Sequence, residues 1–293
     1  MAKRILLFVA TNLLVMLVLN IVVSLFGGAY LTRSGLDLGA LSVFCLVWGM
    51  GGALVSLQLT RWIAKRTTGM RLVDGHTGNE EADWVYRTVA RLAQQAQLPM
   101  PEVGIYESGE VNAFATGPSR SRSLVAVSSG LLRNMRREEV EGVLAHEVTH
   151  IANGDMVTMA LLQGVINAFV MFLARIIAFA IASRGNSRDD RSPMLQYMIV
   201  MVLQIVFGIL GSIVVCWFSR QREFRADRGG ATLAGRDRMI GALRRLAANA
   251  EAVDTRQPEL AAFKINDVPK WMGLFSTHPS LEVRIAALEN ARS

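Results

Sequence analysis

The stretch GVLAHEVTHIANGDMVTM, Gly142 to Met159, sets two histidines four residues apart with a glutamate beside the first, then runs into apolar sequence. On a helix, His146 and His150 at i and i+4 project from one face, one turn apart. That spacing lets both imidazoles bind one zinc ion at ~2.0–2.1 Å. Glu147 is turned ~100° from His146, so it reaches past the ligand pair towards the metal's open position. There it can accept a proton from a water whose pKa the metal lowers towards ~7. The H-E-x-x-H pattern is a zinc metalloprotease signature for that reason. The plainer alternative is an exposed helical histidine pair beside a solvated glutamate. With only four histidines in the chain, chance placement at this spacing is uncommon.

Outward from the motif the chain is apolar. Hydrophobic residues make up 52% and charged residues 19%, a balance that fits a membrane protein better than a soluble enzyme. Four segments, Ile5–Leu31, Gly39–Ala64, Met156–Ala182 and Met194–Phe218, each reach the ~20 residues that cross a ~30 Å hydrocarbon core. The first lacks a small-residue cleavage site and leads at once into the second, which predicts a retained helical hairpin and not a signal peptide. Its loop, Thr32–Leu38, carries one arginine and one aspartate, whereas Lys3, Arg4, Arg61, Lys65, Arg66 and Arg71 flank the outer ends. By the positive-inside rule the chain ends and the stretch after Ala64 face the cytoplasm.

The second hairpin reads less cleanly. Its loop SRGNSRDDRSP, Ser183–Pro193, holds three arginines, a poor match to a translocated loop; a rival reading has these two helices packing within the protein or entering the membrane only in part. Arg175 lies ~28 Å along a helix from Met156, where it would snorkel at the far interface; the alternative is a buried functional charge. The net charge of +7 does not signal nucleic acid, because the cations flank apolar runs and do not form a stripe with interleaved aromatics. Cys45 and Cys216 both sit in apolar runs and predict no disulfide framework.

Two polar blocks remain, Thr67–Asp155 and Ser219–Ser293. Asn79–Leu98 predicts a helix with Trp84, Val89, Leu92 and Ala96 on one stripe. EVGIYE (102–107) and SLVAVSS (123–129) read as short strands. VNAFATGPSRSR (111–122) reads as a hairpin or edge-strand region. Helices are predicted over Arg137–Asn153, Gln221–Leu233, Asp237–Ala252 and Pro279–Ala291.

A catalytic zinc wants a third protein ligand and an open fourth position. SRQREFRADRGG (219–230) supplies Glu223 and Asp227 at i, i+4. Glu223 as ligand would free Asp227 to fix an imidazole from behind. Surface salt bridges to Arg222, Arg225 and Arg228 explain the pair equally well on spacing alone. In THPSLEVRIAALENA (277–291), Pro279 suits a helix N1 position with Thr277 or His278 as cap; a functional His278 would instead donate to a developing oxyanion. His76, in a Gly-rich loop, has no assigned role.

NAFATG, HEVTHIANGDM, REFRAD and THP, in this order among four apolar runs, resemble the HtpX-type membrane zinc metalloproteases, a family that also includes the CAAX prenyl proteases. The resemblance covers essentially the whole chain. It implies one zinc ion held by His146, His150 and Glu223, with Glu147 as general base, Asp227 supporting the ligand helix and His278 near the transition state. It also implies that Asn112, Ala113, Phe114, Ala115, Thr116 and Gly117 form a substrate-binding edge strand.

The expected fold is a mainly α integral membrane protein, with four transmembrane helices and a cytoplasmic α+β zincin-like domain bearing a small sheet. Its expected parts are a first hairpin (1–66), a catalytic part with the HExxH helix (67–155), a second hairpin (156–218) and a catalytic part with the third ligand (219–293). The expected function is endopeptidase action on misfolded or damaged membrane proteins in the bacterial inner membrane, in stress response and quality control. Polypeptides and the lipid bilayer are its partners. A CAAX-type processing protease and a non-hydrolytic, metal-regulated scaffold are the rivals.

Overall fold

A computed structural model describes residues 35–184, 193–256 and 272–291. The apolar segment Ile5–Leu31 and the centre of the loop 183–193 lie outside the described residues. Three described helices are long and apolar enough to cross a membrane: α1 (Leu38–Thr68), α5 (Asp155–Arg184) and α6 (Pro193–Ala234). Between α1 and α5 come β1 (Arg71–Val73), α2 (Glu80–Gln95), β2 (Glu102–Tyr106), β3 (Ala113–Ser119), β4 (Arg122–Ser128), α3 (Ser129–Asn134) and α4 (Arg137–Asn153). After α6 come α7 (Arg236–Arg256), a 3-10 turn at Met272–Phe275 and α8 (Leu281–Glu289).

The described residues divide into two units by their contacts: those up to Ser56 with Ala160–Val215, and those of Leu57–Met159 with Cys216 onward. In the first, Cys45, Ala168, Phe172 and Ile176 form a small buried cluster. Most of the helical surface there stays apolar and exposed, including Val47, Trp48, Ile205 and Ile209, as lipid-facing surface requires. Arg175 lies with its guanidinium 5.3 Å from the Phe44 ring centroid and donates to the Met171 carbonyl at 3.1 Å. It is thus tied to its own helix and an aromatic face.

The second unit is built on a mixed sheet of order β1-β2-β4-β3. β4 is central, parallel to β2 and antiparallel to β3, and it is buried along almost its whole length. β3 is the edge. Val85, Val89 and Leu92 of α2 pack with Val103, Val125 and Val127 of the sheet and Leu144 and Val148 of α4; each such side chain contributes about 1.5–3 kcal/mol. The buried stripe of α2 runs through Val85, with Trp84 beside it and half-buried; Arg137 stacks on the Trp84 ring at 5.3 Å.

Several expectations change. The helix predicted to begin at Gln221 is the end of α6, which runs unbroken for 42 residues. Sequence from Phe218 to Gln221 turns from apolar to charged without glycine or proline, a change of solvent and not of backbone. β1 and α3 carry too few residues for a periodic signal. Neither Thr277 nor His278 caps α8. Ser280 does, in extended conformation with its hydroxyl accepting from the Val283 N–H, and Pro279 precedes the cap.

Candidate metal centre

α4 begins where Glu139 accepts from the Arg136 N–H at 2.8 Å, and it ends at Gly154, whose φ of 66° is left-handed. Glycine enters that conformation without the strain other residues meet. The break turns the chain so that Asp155, the first residue of α5, comes back beside His150, with Oδ2 at 2.7 Å from its Nδ1. On the same helix His146 has its Nδ1 at 2.9 Å from Asp227 Oδ1. All four side chains are buried.

With both Nδ1–H groups donating to carboxylates, both Nε2 atoms present lone pairs, and they face each other across 3.1 Å. Two acceptors at that distance need a cation or a proton between them. Glu223 closes the triangle, with Oε2 at 3.5 Å from His146 Nε2 and Oε1 at 3.4 Å from His150 Nε2. Ligand atoms on a tetrahedral ion with ~2.0–2.1 Å bonds stand roughly 3.3 Å apart. The three side chains therefore fit zinc in donor type and spacing, and their ligand atoms lie within 4.8 Å of one another.

Glu223 and Asp227 reach this point because α6 passes very close to α4. A Cβ on Gly229 would stand 2.3 Å from Thr149 Cγ2, so only glycine permits the approach. Glu223 is 1% exposed; Arg222 does reach it, with Nη2 3.5 Å from Oε1, but as a contact at a buried carboxylate that also faces the histidines and not as a surface ion pair. Arg225 instead stacks on Phe218 at 5.6 Å.

Sequence reasoning missed two members of the cluster. Asp155 carried a weak signal, standing just past an Asn-Gly helix stop. Arg284 carried none, being one of three charged residues on its helix with Glu282 and Glu289. It is buried and grips Asp227 with Nε at 2.7 Å and Nη2 at 2.6 Å, a forked pair that fixes the carboxylate holding His146.

Glu147 and His278 line a cleft of about 210 Å³ together with His146, Glu223, Asn112 and Ala113. His278 Nδ1 stands 3.0 Å from Glu223 Oε2 while most of its ring is exposed. Of the expected strand, Asn112 and Ala113 reach the cleft. Phe114 packs on Tyr106 with centroids 5.9 Å apart, and Ala115, Thr116 and Gly117 continue β3 away from the cleft lining.

Burial opposes charge throughout this cluster, and pairing overrides it. Burial would lower the His150 pKa, but Asp155 and Glu223 raise it to about 9. His146 is raised in the same way by Asp227 and Glu223 against burial. Glu223 is pulled far below the carboxylate range by the three histidines despite its burial, and Asp227 is held low by Arg284 and His146. The metal-free site thus stores protons that zinc must displace. Because His150 is raised above its unfolded value, its proton stabilises the metal-free fold below pH ~6.5, and that contribution is lost as pH rises through about 9. Zinc affinity should accordingly increase at least about tenfold per pH unit between pH 6.5 and 8.5. Chelator competition across that range, with proton release measured in buffers of different ionisation enthalpy, checks this; an affinity flat with pH would contradict it.

Residues 79–292 match the model of peptidase family M48. Protease HtpX of Acinetobacter baumannii (strain AYE) is 51% identical over 293 residues, covering 97% of each chain. Protease HtpX of Aeromonas hydrophila is 52% identical over 292 residues, covering 98% of this chain and 99% of its own. The crystal structure of S. mikatae Ste24p shares the fold at a TM-score of 0.63 and 15% identity, over 97% of this chain and 67% of that one. With a zinc site of His146, His150 and Glu223 in place and half its residues shared end to end with the two HtpX proteases, the chain belongs to peptidase family M48, as a multi-pass membrane zinc metalloprotease of the HtpX group.

Proposed function

We propose that the protein is an endopeptidase that cuts loops and exposed ends of misfolded or damaged membrane proteins at the cytoplasmic face of the bacterial inner membrane, as part of quality control. Residues 67–155 and 219–293 are read as the two parts of its catalytic domain, with hairpins 1–66 and 156–218 as its anchors. The observation that carries the reading is an unpaired strand edge opening into the cleft of the zinc residues. The Ser128 N–H donates to the Asn112 carbonyl at 2.9 Å. By antiparallel alternation the N–H and C=O groups of Ala113 and Ala115 then point away from β4, free to pair with an extended chain. Such pairing reads backbone and not sequence, which suits unfolded substrates.

Bound zinc supplies Lewis acidity to the scissile carbonyl and acidifies water beside it. Glu147 takes the proton of the attacking water and returns it to the leaving amine. His278, exposed at the cleft mouth, donates to the oxygen that gains charge as water adds. Asp227 and Asp155 keep both imidazoles in the tautomer that presents Nε2.

The test uses the full chain in lipid vesicles, with a destabilised membrane protein and its stable parent as substrates. Cleavage of the destabilised form should be at least about tenfold faster, and Ala115→Pro, which removes an outward N–H, should slow it about tenfold with zinc content unchanged. Equal cleavage of both substrates, or preference for a prenylated peptide, would overturn the substrate assignment.

A further inference from the structure

A second cleft, of about 320 Å³, lies away from the zinc site and is lined by Gln58, Arg61, Trp62, Lys65, Pro118 and Arg122. One wall is the C-terminal end of α1 and the other is the turn joining β3 to β4. Arg61 and Lys65 both pair with Glu102, at 3.0 and 2.8 Å. Arg122 pairs with no carboxylate among the described residues and makes only a long contact, 3.4 Å, to Gln58 Oε1. Three cations thus face one anion, and a charge of about +2 is left over in a concave, partly solvated site.

The place of this cluster in the chain says what would balance it. No charged residue occurs from Leu38 to Thr60. At ~1.5 Å per residue that stretch is ~34 Å long, the thickness of a hydrocarbon core. Arg61 is the first charge after it, and Trp62 beside it is 62% exposed, as aromatic side chains at a membrane interface are. Guanidinium forks suit phosphate oxygens, and lysine supplies a point charge beside them. We propose that this cleft binds the phosphate headgroup of an anionic membrane phospholipid, with Arg61, Lys65 and Arg122 around the phosphate and Trp62 against the glycerol and upper acyl chain.

Because Arg122 opens β4 and Arg120 of the same turn donates to the Ala152 carbonyl near the end of α4, the bound headgroup would brace the β3–β4 turn, which Arg120 ties to the zinc helix. This assignment concerns binding alone and stands whether or not the substrate class proposed above is correct.

Native mass spectrometry of the full chain in detergent, titrated with phosphatidylglycerol, phosphatidylcholine and soluble glycerol phosphate, tests it. One tightly held phosphatidylglycerol per chain is expected, with phosphatidylcholine and glycerol phosphate each at least about tenfold weaker. Arg61→Gln with Arg122→Gln should weaken phosphatidylglycerol roughly thirtyfold, from about fivefold per cation at an anionic surface. Arg66→Gln with Arg71→Gln removes the same charge outside the cleft and should leave binding within about twofold. Arg122→Gln alone breaks no ion pair, so it keeps the fold and should still cost about fivefold. Equal losses in the two double variants would mean diffuse surface attraction and overturn the site. Glycerol phosphate binding as tightly as the lipid would overturn the lipid as its occupant.

Discussion

Glu147→Gln should retain stoichiometric zinc and lose about 10³- to 10⁴-fold in peptidase rate, the upper part of the ~10²- to 10⁴-fold span associated with a positioned general base. In free energy that is about 4–5.5 kcal/mol of transition-state stabilisation. The asymmetry follows from geometry. The zinc-site triangle is drawn by His146, His150 and Glu223, and Glu147 is no part of it. It sits one residue along α4, rotated by ~100°, and lines the cleft where a scissile bond would lie. Glutamine fills the same volume and still hydrogen-bonds, but it cannot hold a proton between attack and departure. A modest fall in zinc affinity should accompany the change, because the Glu147 charge contributes to raising both imidazoles. Cleavage of an unfolded substrate by metal-replete variant, with zinc counted by mass spectrometry, gives the answer. Wild-type turnover would remove Glu147 from its role as base.

The parts of this centre that could be read from sequence are those whose chemistry is local. His146 and His150 share one helix, so their common face follows from the helical period, and Glu147 follows from the same geometry. Glu223 and Asp227 were visible as a helical pair, but nothing local separated a ligand from a surface ion pair. That distinction depends on Gly229 letting α6 press against Thr149, which is a tertiary fact. Asp155 and Arg284 escaped the sequence reading for the same reason: the first becomes a partner of His150 only through the left-handed turn at Gly154, and the second comes from a helix 138 residues from His146. Three of the four apolar segments were legible from hydropathy as long helices, yet hydropathy misplaced a boundary. It marked the end of the apolar run near Phe218 as the end of a helix, while the backbone continues to Ala234. Glu223 and Asp227 thus follow the charge-free stretch Met194–Ser219 within one unbroken helix.

Glu223→Ala should leave the purified protein with less than about a tenth of an equivalent of zinc, a loss well beyond the ~10- to 100-fold in affinity that removing an outer-shell partner costs. Two effects act together. One of three ligands is gone, and the ligand set loses its one formal negative charge. Glu223 is the anion that His146, His150 and His278 all approach, at 3.5, 3.4 and 3.0 Å, with Arg284 Nη1 at 3.5 Å from the same carboxylate. Without it, the nearest remaining charges around the two Nε2 atoms include the Arg284 guanidinium, 3.5 Å from His146 Nε2, and a second cation would enter against it. Asp227→Asn separates these contributions. It keeps all three ligands while weakening the support of His146, so its zinc affinity should fall only ~10- to 100-fold. Glu223→Gln keeps the volume and removes the charge, and should resemble the alanine variant in metal content while melting below wild type without metal, because the histidines and Arg284 lose their buried anion. Full zinc occupancy in a folded Glu223→Ala protein would show that another group completes the shell, and the arrangement of α6 against α4 would then need a different purpose.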